Sequence, residues 1–208
     1  MNSEIPKQFL ELGGRPVILH SLIKFYTCGL NPEIILVLPA LQLEYWDQLC
    51  IDYKFDIPLK IVKGGETRYH SVKNALELII EPGIVAIHDA VRPLVSTSTI
   101  LTAFAEAEIY GSAVPVIPLK DSIRKTESAA NMALDRSLYG IVQTPQCFQT
   151  DLLKKAYEKE YKFTFTDDAS VVESNGAVIH LIEGTSENIK ITNPQDLLIA
   201  EALLKTEG

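Results

Sequence analysis

Cysteine is scarce in this sequence: three of 208 residues, Cys28, Cys50 and Cys147, odd in number and far apart. There is no Cys-x-x-Cys pair and no His/Cys cluster at zinc spacing, which excludes a disulfide framework and a structural zinc site. The three read as small buried hydrophobes of a reducing compartment. Basic residues are also in deficit, with 19 Lys and Arg against 27 Asp and Glu and a formal net charge of −8. A general nucleic-acid binder carries a basic surface, so the balance argues against one. A few local cations can still hold a phosphate ligand at short range. No apolar run approaches the roughly 18 residues that span a bilayer, and the stretch from Met1 to Lys7 lacks a signal-peptide core. The expectation is a cytoplasmic protein with neither nucleic acid nor membrane as partner. Walker A and G-x-G-x-x-G motifs are absent as well.

What is present is ordinary globular material, 47% hydrophobic and 22% charged, of a length that suits one domain over residues 1–208. Short apolar runs alternate with longer helical ones. Ile34–Pro39, Lys60–Lys63, Ile84–His88, Ala113–Leu119, Val178–Ile182 and Ile189–Thr192 read as strands. Runs this apolar predict a mostly parallel sheet covered on both faces. Helical spacing recurs in Ile18, Leu22 and Phe25 after Pro16, in Val72, Leu76 and Ile79, and in Ile100, Phe104 and Ala107 after the capping candidates Ser96 and Thr97. Further helices follow Thr150 and Pro194. The alternation predicts an α/β fold whose ligands sit beyond the carboxyl ends of the strands. One stretch breaks it: residues 121–143 are too charged for an interior layer and predict a projecting β-arm, whose edges a second subunit would cover.

Four constellations stand out. Lys7 precedes the turn Gly13-Gly14 and, taken alone, has the usual reading of a solvated lysine. Gly64-Gly65-Glu66 follows a strand and opens a helix, a place for an anion or simply a βα turn. Asp89, at the end of the most apolar strand, suits a hard divalent cation. Arg92 beside it suits a phosphate, or a plain Asp–Arg brace. His88 reads as a packed structural histidine. Arg124, Lys125, Arg136, Thr144 and Lys190 are scattered, and Thr144-Pro145-Gln146 reads as a turn. Lys190, between Ile189 and Ile191, points away from the face they bury. Asp167-Asp168 looks like a metal pair, yet a cap introduced by Thr166 is the better reading.

Taken together, PKQFLELGGRPVILHSL, GGETRYHSV, AIHDAVRPLV, PLKDSIRK, LDRSLYGIVQTPQCF, FTDDASVVESNG and EGTSENIKITNPQDL resemble, in order and spacing, the 2-C-methyl-D-erythritol 4-phosphate cytidylyltransferase family. The resemblance implies a Rossmann-like nucleotidyltransferase fold whose arm, residues 121–143, is exchanged in a homodimer. It implies a reaction that joins a sugar-alcohol phosphate to CTP with Mg²⁺ and releases pyrophosphate. Lys7 and Lys190 then match the catalytic cations. Gly65, Glu66, Ser71, Asp89 and Ala90 match the CTP site, with Asp89 also on the metal. Arg92, Ser122, Arg136, Thr144 and Lys190 match the substrate phosphate site, Arg92 and Ser122 serving it across the dimer. Glu66 stands where the family often has Asp, and Ser122 where it more often has Thr. The family opens with a strand and a glycine-rich phosphate loop, whereas this sequence starts at Met1 where that loop ends. That implies a gap in the sheet and poor turnover by the chain as written. Two other readings are a ribitol-5-phosphate cytidylyltransferase and an impaired nucleotide-binding or scaffold protein.

Overall fold

The computed structural model describes residues 5–127 and 130–206. A tight hairpin, β1 (Glu11–Leu12) and β2 (Arg15–Pro16), leads into α1 (Val17–Tyr26). Gly13 and Gly14 make its turn at φ +56 and +79, a region open to glycine but strained for other residues. Next come β3 (Ile35–Leu38), α2 (Leu43–Asp52), β4 (Lys60–Lys63), α3 (Arg68–Leu76), β5 (Ile84–Ile87), α4 (Thr97–Tyr110) and β6 (Ser112–Pro118). The arm is β7 (Ile123–Glu127) and β8 (Ala130–Leu134), followed by β9 (Gly140–Val142) and β10 (Gln146–Gln149). The chain closes with α5 (Thr150–Tyr157), α6 (Asp168–Glu173), β11 (Leu181–Glu183) and α7 (Pro194–Leu204).

The α/β class stands, but the sheet is mixed. Its order is β11-β6-β10-β5, with β9 also on β6. β11 runs parallel to β6, while β10 runs antiparallel to both β6 and β5. β10 is the strand behind the difference: its start, Gln146, reads as part of a turn, yet Cys147 and Phe148 are fully buried between two neighbours. A second, parallel pair is β3 with β4. Ile189–Thr192 forms no strand; Ile191 is nonetheless buried, and its amide donates to the Val91 carbonyl at 2.9 Å. Of Val178–Ile182 only the end becomes strand, as β11.

Local chemistry sets the helix ends. Ser96 caps α4 by accepting the Thr99 amide at 3.1 Å, and Gly111 ends it in the left-handed region. Asn193 and Asp196 form a capping box on α7, with Pro194 in its first turn. At α6 the cap is Asp167 rather than Thr166, again with a capping box through Ser170. Among the described residues the arm hairpin pairs only with itself, and the side chains of Arg124–Thr126 and Ala130–Ala133 are exposed; its turn at 128–129 lies outside the described residues. The second half of the predicted arm divides: after β8 the chain makes a short turn at Arg136–Leu138, and β9 returns to the sheet on β6. No helix among the described residues is long and apolar enough to cross a membrane.

Candidate active site

The site grows from the carboxyl end of β5. His88 is packed against the Phe25 ring, at 4.9 Å between centroids. Its Nε2 donates to the Arg92 carbonyl at 3.1 Å, and its Nδ1 accepts from the Thr144 hydroxyl at 3.0 Å. That hydroxyl in turn accepts the Asp89 amide at 3.1 Å. The chain of bonds needs a neutral imidazole, and burial holds His88 neutral by lowering its pKa to about 4. Thr144 therefore works as a strut that fixes the backbone from which Asp89 projects.

The Asp89 carboxylate collects two cations on one oxygen. Lys190 Nζ lies 3.0 Å from Oδ2, and Arg92 Nε lies 3.3 Å from it. Burial by itself would raise the pKa of Asp89, but Lys190, Arg68 and Arg92 outweigh it and hold the group below the usual carboxylate range. Arg92 is 8% exposed and donates to the Asn188 carbonyl at 2.7 Å. The arginine expected to serve a site across a dimer is thus tied to a carboxylate and a carbonyl of its own chain, and the Asp–Arg brace is real. Asn188, fully buried, donates to the Thr144 carbonyl at 2.8 Å. Its Oδ1 has no partner among the described residues. Nothing in the sequence around Asn188 marks it, because its role depends on segments more than 40 residues away.

The glycine turn sits on the neighbouring strands. The Gly64 amide donates to the Leu38 carbonyl at 2.8 Å, and the Gly65 amide donates to the Ser71 hydroxyl at 3.1 Å. A Cβ at Gly65 would stand 2.5 Å from that of His70, so only glycine fits. Glu66 is exposed at the start of α3. Arg68, one turn on, connects this turn to the rest of the site. It pairs through both guanidinium nitrogens with Asp168, which is 0% exposed and also accepts the Tyr157 hydroxyl at 2.6 Å. Burial opposes the Arg68 charge, but Asp168 outweighs it and raises its pKa. Arg68 and Asp168 stand 100 residues apart in sequence, so no local motif reveals them.

Asp89, Ala90, Arg92, Thr144 and Lys190 are thus brought together; Ser71 on α3 lines the same cavity as Asp89 and Ala90, while Gly65 and Glu66 lie in the turn that precedes α3. Lys7 begins the short turn Lys7–Phe9, and Phe9 is in the apolar cluster with Leu38 on which Ala90 packs. Ser122 and Arg136 are not drawn in. Both are exposed at the arm, where Arg136 donates to the Lys120 carbonyl. Asp167 and Asp168 are a cap and an ion-pair partner, and no group of three or more His, Cys, Asp or Glu stands together among the described residues. Asp89 carries the kind of carboxylate that can meet a hard cation, whose shell water and substrate phosphates complete.

The chain matches the model of the family 2-C-methyl-D-erythritol 4-phosphate cytidylyltransferase over residues 1–206. It is 49% identical to the protein of that description from Bacteroides fragilis, covering 98% of this chain and 93% of that one. The Porphyromonas gingivalis protein is 44% identical, with 98% and 91% covered. The fold matches the crystal structure of the Thermus thermophilus cytidylyltransferase at a TM-score of 0.78 and 33% identity, covering 96% and 94% of the two chains. It also matches the 4-diphosphocytidyl-2C-methyl-D-erythritol synthase of Anaerococcus prevotii at 0.85 and 26%, covering 98% and 92%. A family model that matches from end to end and relatives covered over more than nine-tenths of their length show that the chain belongs to the 2-C-methyl-D-erythritol 4-phosphate cytidylyltransferase family.

Proposed function

We propose that this chain joins 2-C-methyl-D-erythritol 4-phosphate to CTP, forming 4-diphosphocytidyl-2-C-methyl-D-erythritol and pyrophosphate. The observation that carries the reading at the residue level is the Asp89–Lys190 pair at 3.0 Å, at the carboxyl end of β5, with Arg92 and Thr144 bracing it. A phosphate oxygen of the substrate attacks the α-phosphorus of CTP, and the bond to the β-phosphate oxygen breaks as pyrophosphate leaves. No covalent enzyme intermediate is needed. Two polyanions must meet, so fixed cations supply most of the catalysis by screening repulsion and stabilising charge at the five-coordinate phosphorus.

In this reading Lys7 steadies the triphosphate and Lys190 the reacting phosphates. Gly65 and Ser71 offer a close backbone approach and a hydroxyl to the cytosine and ribose, with Glu66 and Ala90 beside them. Asp89 would hold Mg²⁺, which when bound neutralises phosphate charge. Arg136, Thr144 and Ser122 complete the methylerythritol phosphate site, with Arg92 setting its floor. Arg136 and Ser122 stand on the arm, so the site is finished by the arm of a homodimer partner. Met132, Leu138, Tyr139, Ile141 and Val142 are exposed apolar side chains along that region, which supports such a pairing. Three free cysteines suit the reducing cytoplasm.

The test is pyrophosphate release from CTP and Mg²⁺. Release is expected only when methylerythritol phosphate is added, and is expected to be lost in Lys190→Ala. Equal or faster turnover of ribitol 5-phosphate would overturn the substrate assignment.

A further inference from the structure

Asp89 and Lys190 come from distant segments, and the backbone of each hangs on a different group of one residue, Thr144. The Thr144 hydroxyl accepts the Asp89 amide at 3.1 Å. The Thr144 carbonyl accepts the side-chain amide of Asn188 at 2.8 Å. Asn188 stands just ahead of Ile189 and Lys190. Ile191, directly after Lys190, is fully buried and donates its amide to the Val91 carbonyl at 2.9 Å. The backbone of Lys190 is thus pinned on both sides, while its side chain stays 42% exposed.

Gln143, itself buried, closes the bracket from behind. Its side-chain nitrogen donates to the Thr185 carbonyl at 2.8 Å and to the Asn188 carbonyl at 3.3 Å. Its side-chain oxygen accepts the Thr185 amide at 3.2 Å. Arg92 adds a bond of 2.7 Å to the same Asn188 carbonyl. A Cβ at Gly184 would stand 2.5 Å from the Gln143 side-chain oxygen, so the loop reaches this bracket only with glycine there. The bonds of Gln143 and Asn188 run mostly to backbone, and that backbone carries Thr144 and Lys190.

One ion pair does not fix so exposed a lysine. Such pairs gain little, because two side chains must give up rotamer freedom and water screens their charges. Pinning the backbone on both sides removes part of that freedom in advance, as a supporting layer does for a working group. Asn188 also keeps a buried side-chain oxygen without a partner among the described residues. An unpaired buried acceptor costs stability, so stability alone does not account for an asparagine at this place.

We infer that Asn188, with Gln143 behind it, is a positioning residue for the reaction: it sets where Lys190 meets Asp89 by tying both segments to Thr144. Asn188 acts through Lys190. The part of Lys190 in the chemistry belongs to the proposed function, on which this role rests; its placement belongs to the geometry alone.

The experiment labels the lysines of the full chain with acetic anhydride and reads each site by mass spectrometry, beside steady-state rates with CTP, Mg²⁺ and methylerythritol phosphate. Asn188→Ala is expected to raise the labelling rate of Lys190 about fivefold, while Lys60, paired with Glu33 at 2.7 Å at the start of β4, stays unchanged. In the same variant kcat is expected to fall about tenfold, with KM for CTP within about twofold of its starting value. Gln143→Ala leaves Asn188 in place and is expected to give the same pattern more weakly; it carries the test if Asn188→Ala does not fold. Unchanged labelling of Lys190 in the folded variants would overturn the role. A rise shared by Lys60 would overturn it too, as general loosening of the fold, and so would failure of both variants to fold. Selective exposure of Lys190 with unchanged kcat would uphold its placement by Asn188 and count against its part in the proposed reaction.

Discussion

The hub around Asp89 and the arm formed by β7 and β8 use similar residues under opposite conditions. In the hub, Asp89, Arg92, Thr144 and Asn188 are largely buried, and each is held by at least two partners from distant segments. On the arm, Arg124 bonds Asn131 diagonally across the hairpin, at 2.6 Å, and Arg136 a carbonyl at the arm root, all exposed to water. Charges in the hub are preorganised and weakly screened, so they can stabilise a transition state at little reorganisation cost. Charges on the arm are mobile and screened until something orders them. The proposed function puts chemistry in the first region and recognition in the second, and it is open to attack at both ends.

The largest effect is expected in the hub. Asp89→Asn keeps the size and removes the charge, leaving Lys190 and Arg92 facing an amide. It is expected to lower kcat/KM about 1000-fold, roughly 4 kcal/mol of transition-state stabilisation. Steady-state rates across a Mg²⁺ titration check this; unchanged rates would remove Asp89 from the chemistry. Arg68→Ala leaves Asp168 buried without its cation and is expected to lower stability by about 3 kcal/mol, read by urea unfolding.

Acid should strike the hub next. The folded-state pKa of His88 is lowered to about 4 from the ordinary 6.5. The unfolded chain therefore binds a proton below pH 6.5 that the folded chain refuses until about pH 4. Stability contributed by neutral His88 is full above pH 6.5 and is lost as pH falls through that window, by up to about 3 kcal/mol. Asp89, lowered too, adds to the loss at still lower pH. Unfolding free energies between pH 7 and 4 check the slope, which His88→Gln is expected to flatten.

The two regions also differed in how much the sequence revealed. Ile84–His88 and Ile34–Pro39 were legible as strands because apolar runs bounded by Pro and Gly have few other uses. Asp89 was legible because it ends such a run, and Lys190 because it interrupts an apolar alternation. β10 was not, since Gln146-Cys147-Phe148-Gln149 carries no period and follows a turn-forming Thr-Pro. Nor was α2, whose buried face is little more than Trp46 and Leu49. Arg68, Asp168, Tyr157 and Asn188 are defined by partners that only the tertiary fold brings near. On the arm the charged composition marked the segment as exposed, but not that its second half would return to the sheet as β9.

On the arm itself smaller effects are expected, and of another kind. Arg136→Ala is expected to raise KM for methylerythritol phosphate about 10-fold, near 1.4 kcal/mol, while KM for CTP and Tm stay unchanged. A shift in KM for CTP alone would move Arg136 off the sugar phosphate.

The smallest change in stability should come from the exposed apolar face where the chain returns from the arm to the sheet. Leu138 is 78% exposed and Ile141 is 45% exposed in the single chain. Neither belongs to the buried clusters, so charging them removes little packing from the subunit. The double substitution Leu138→Lys, Ile141→Lys is expected to change unfolding free energy by less than about 0.5 kcal/mol, as for exposed positions generally. If a partner subunit covers this face, the same two lysines must be desolvated against apolar surface and against their own symmetry mates. Sedimentation at low micromolar concentration should then show the shift from dimer to monomer, with KM for the sugar phosphate rising in parallel, because Arg136 and Ser122 lose the site they complete. A double variant that stays dimeric with unchanged KM would place recognition elsewhere and leave the arm an ornament of the fold. One that unfolds would show that the arm is held by its own subunit, and the contrast between a rigid hub and a recruited arm would fall.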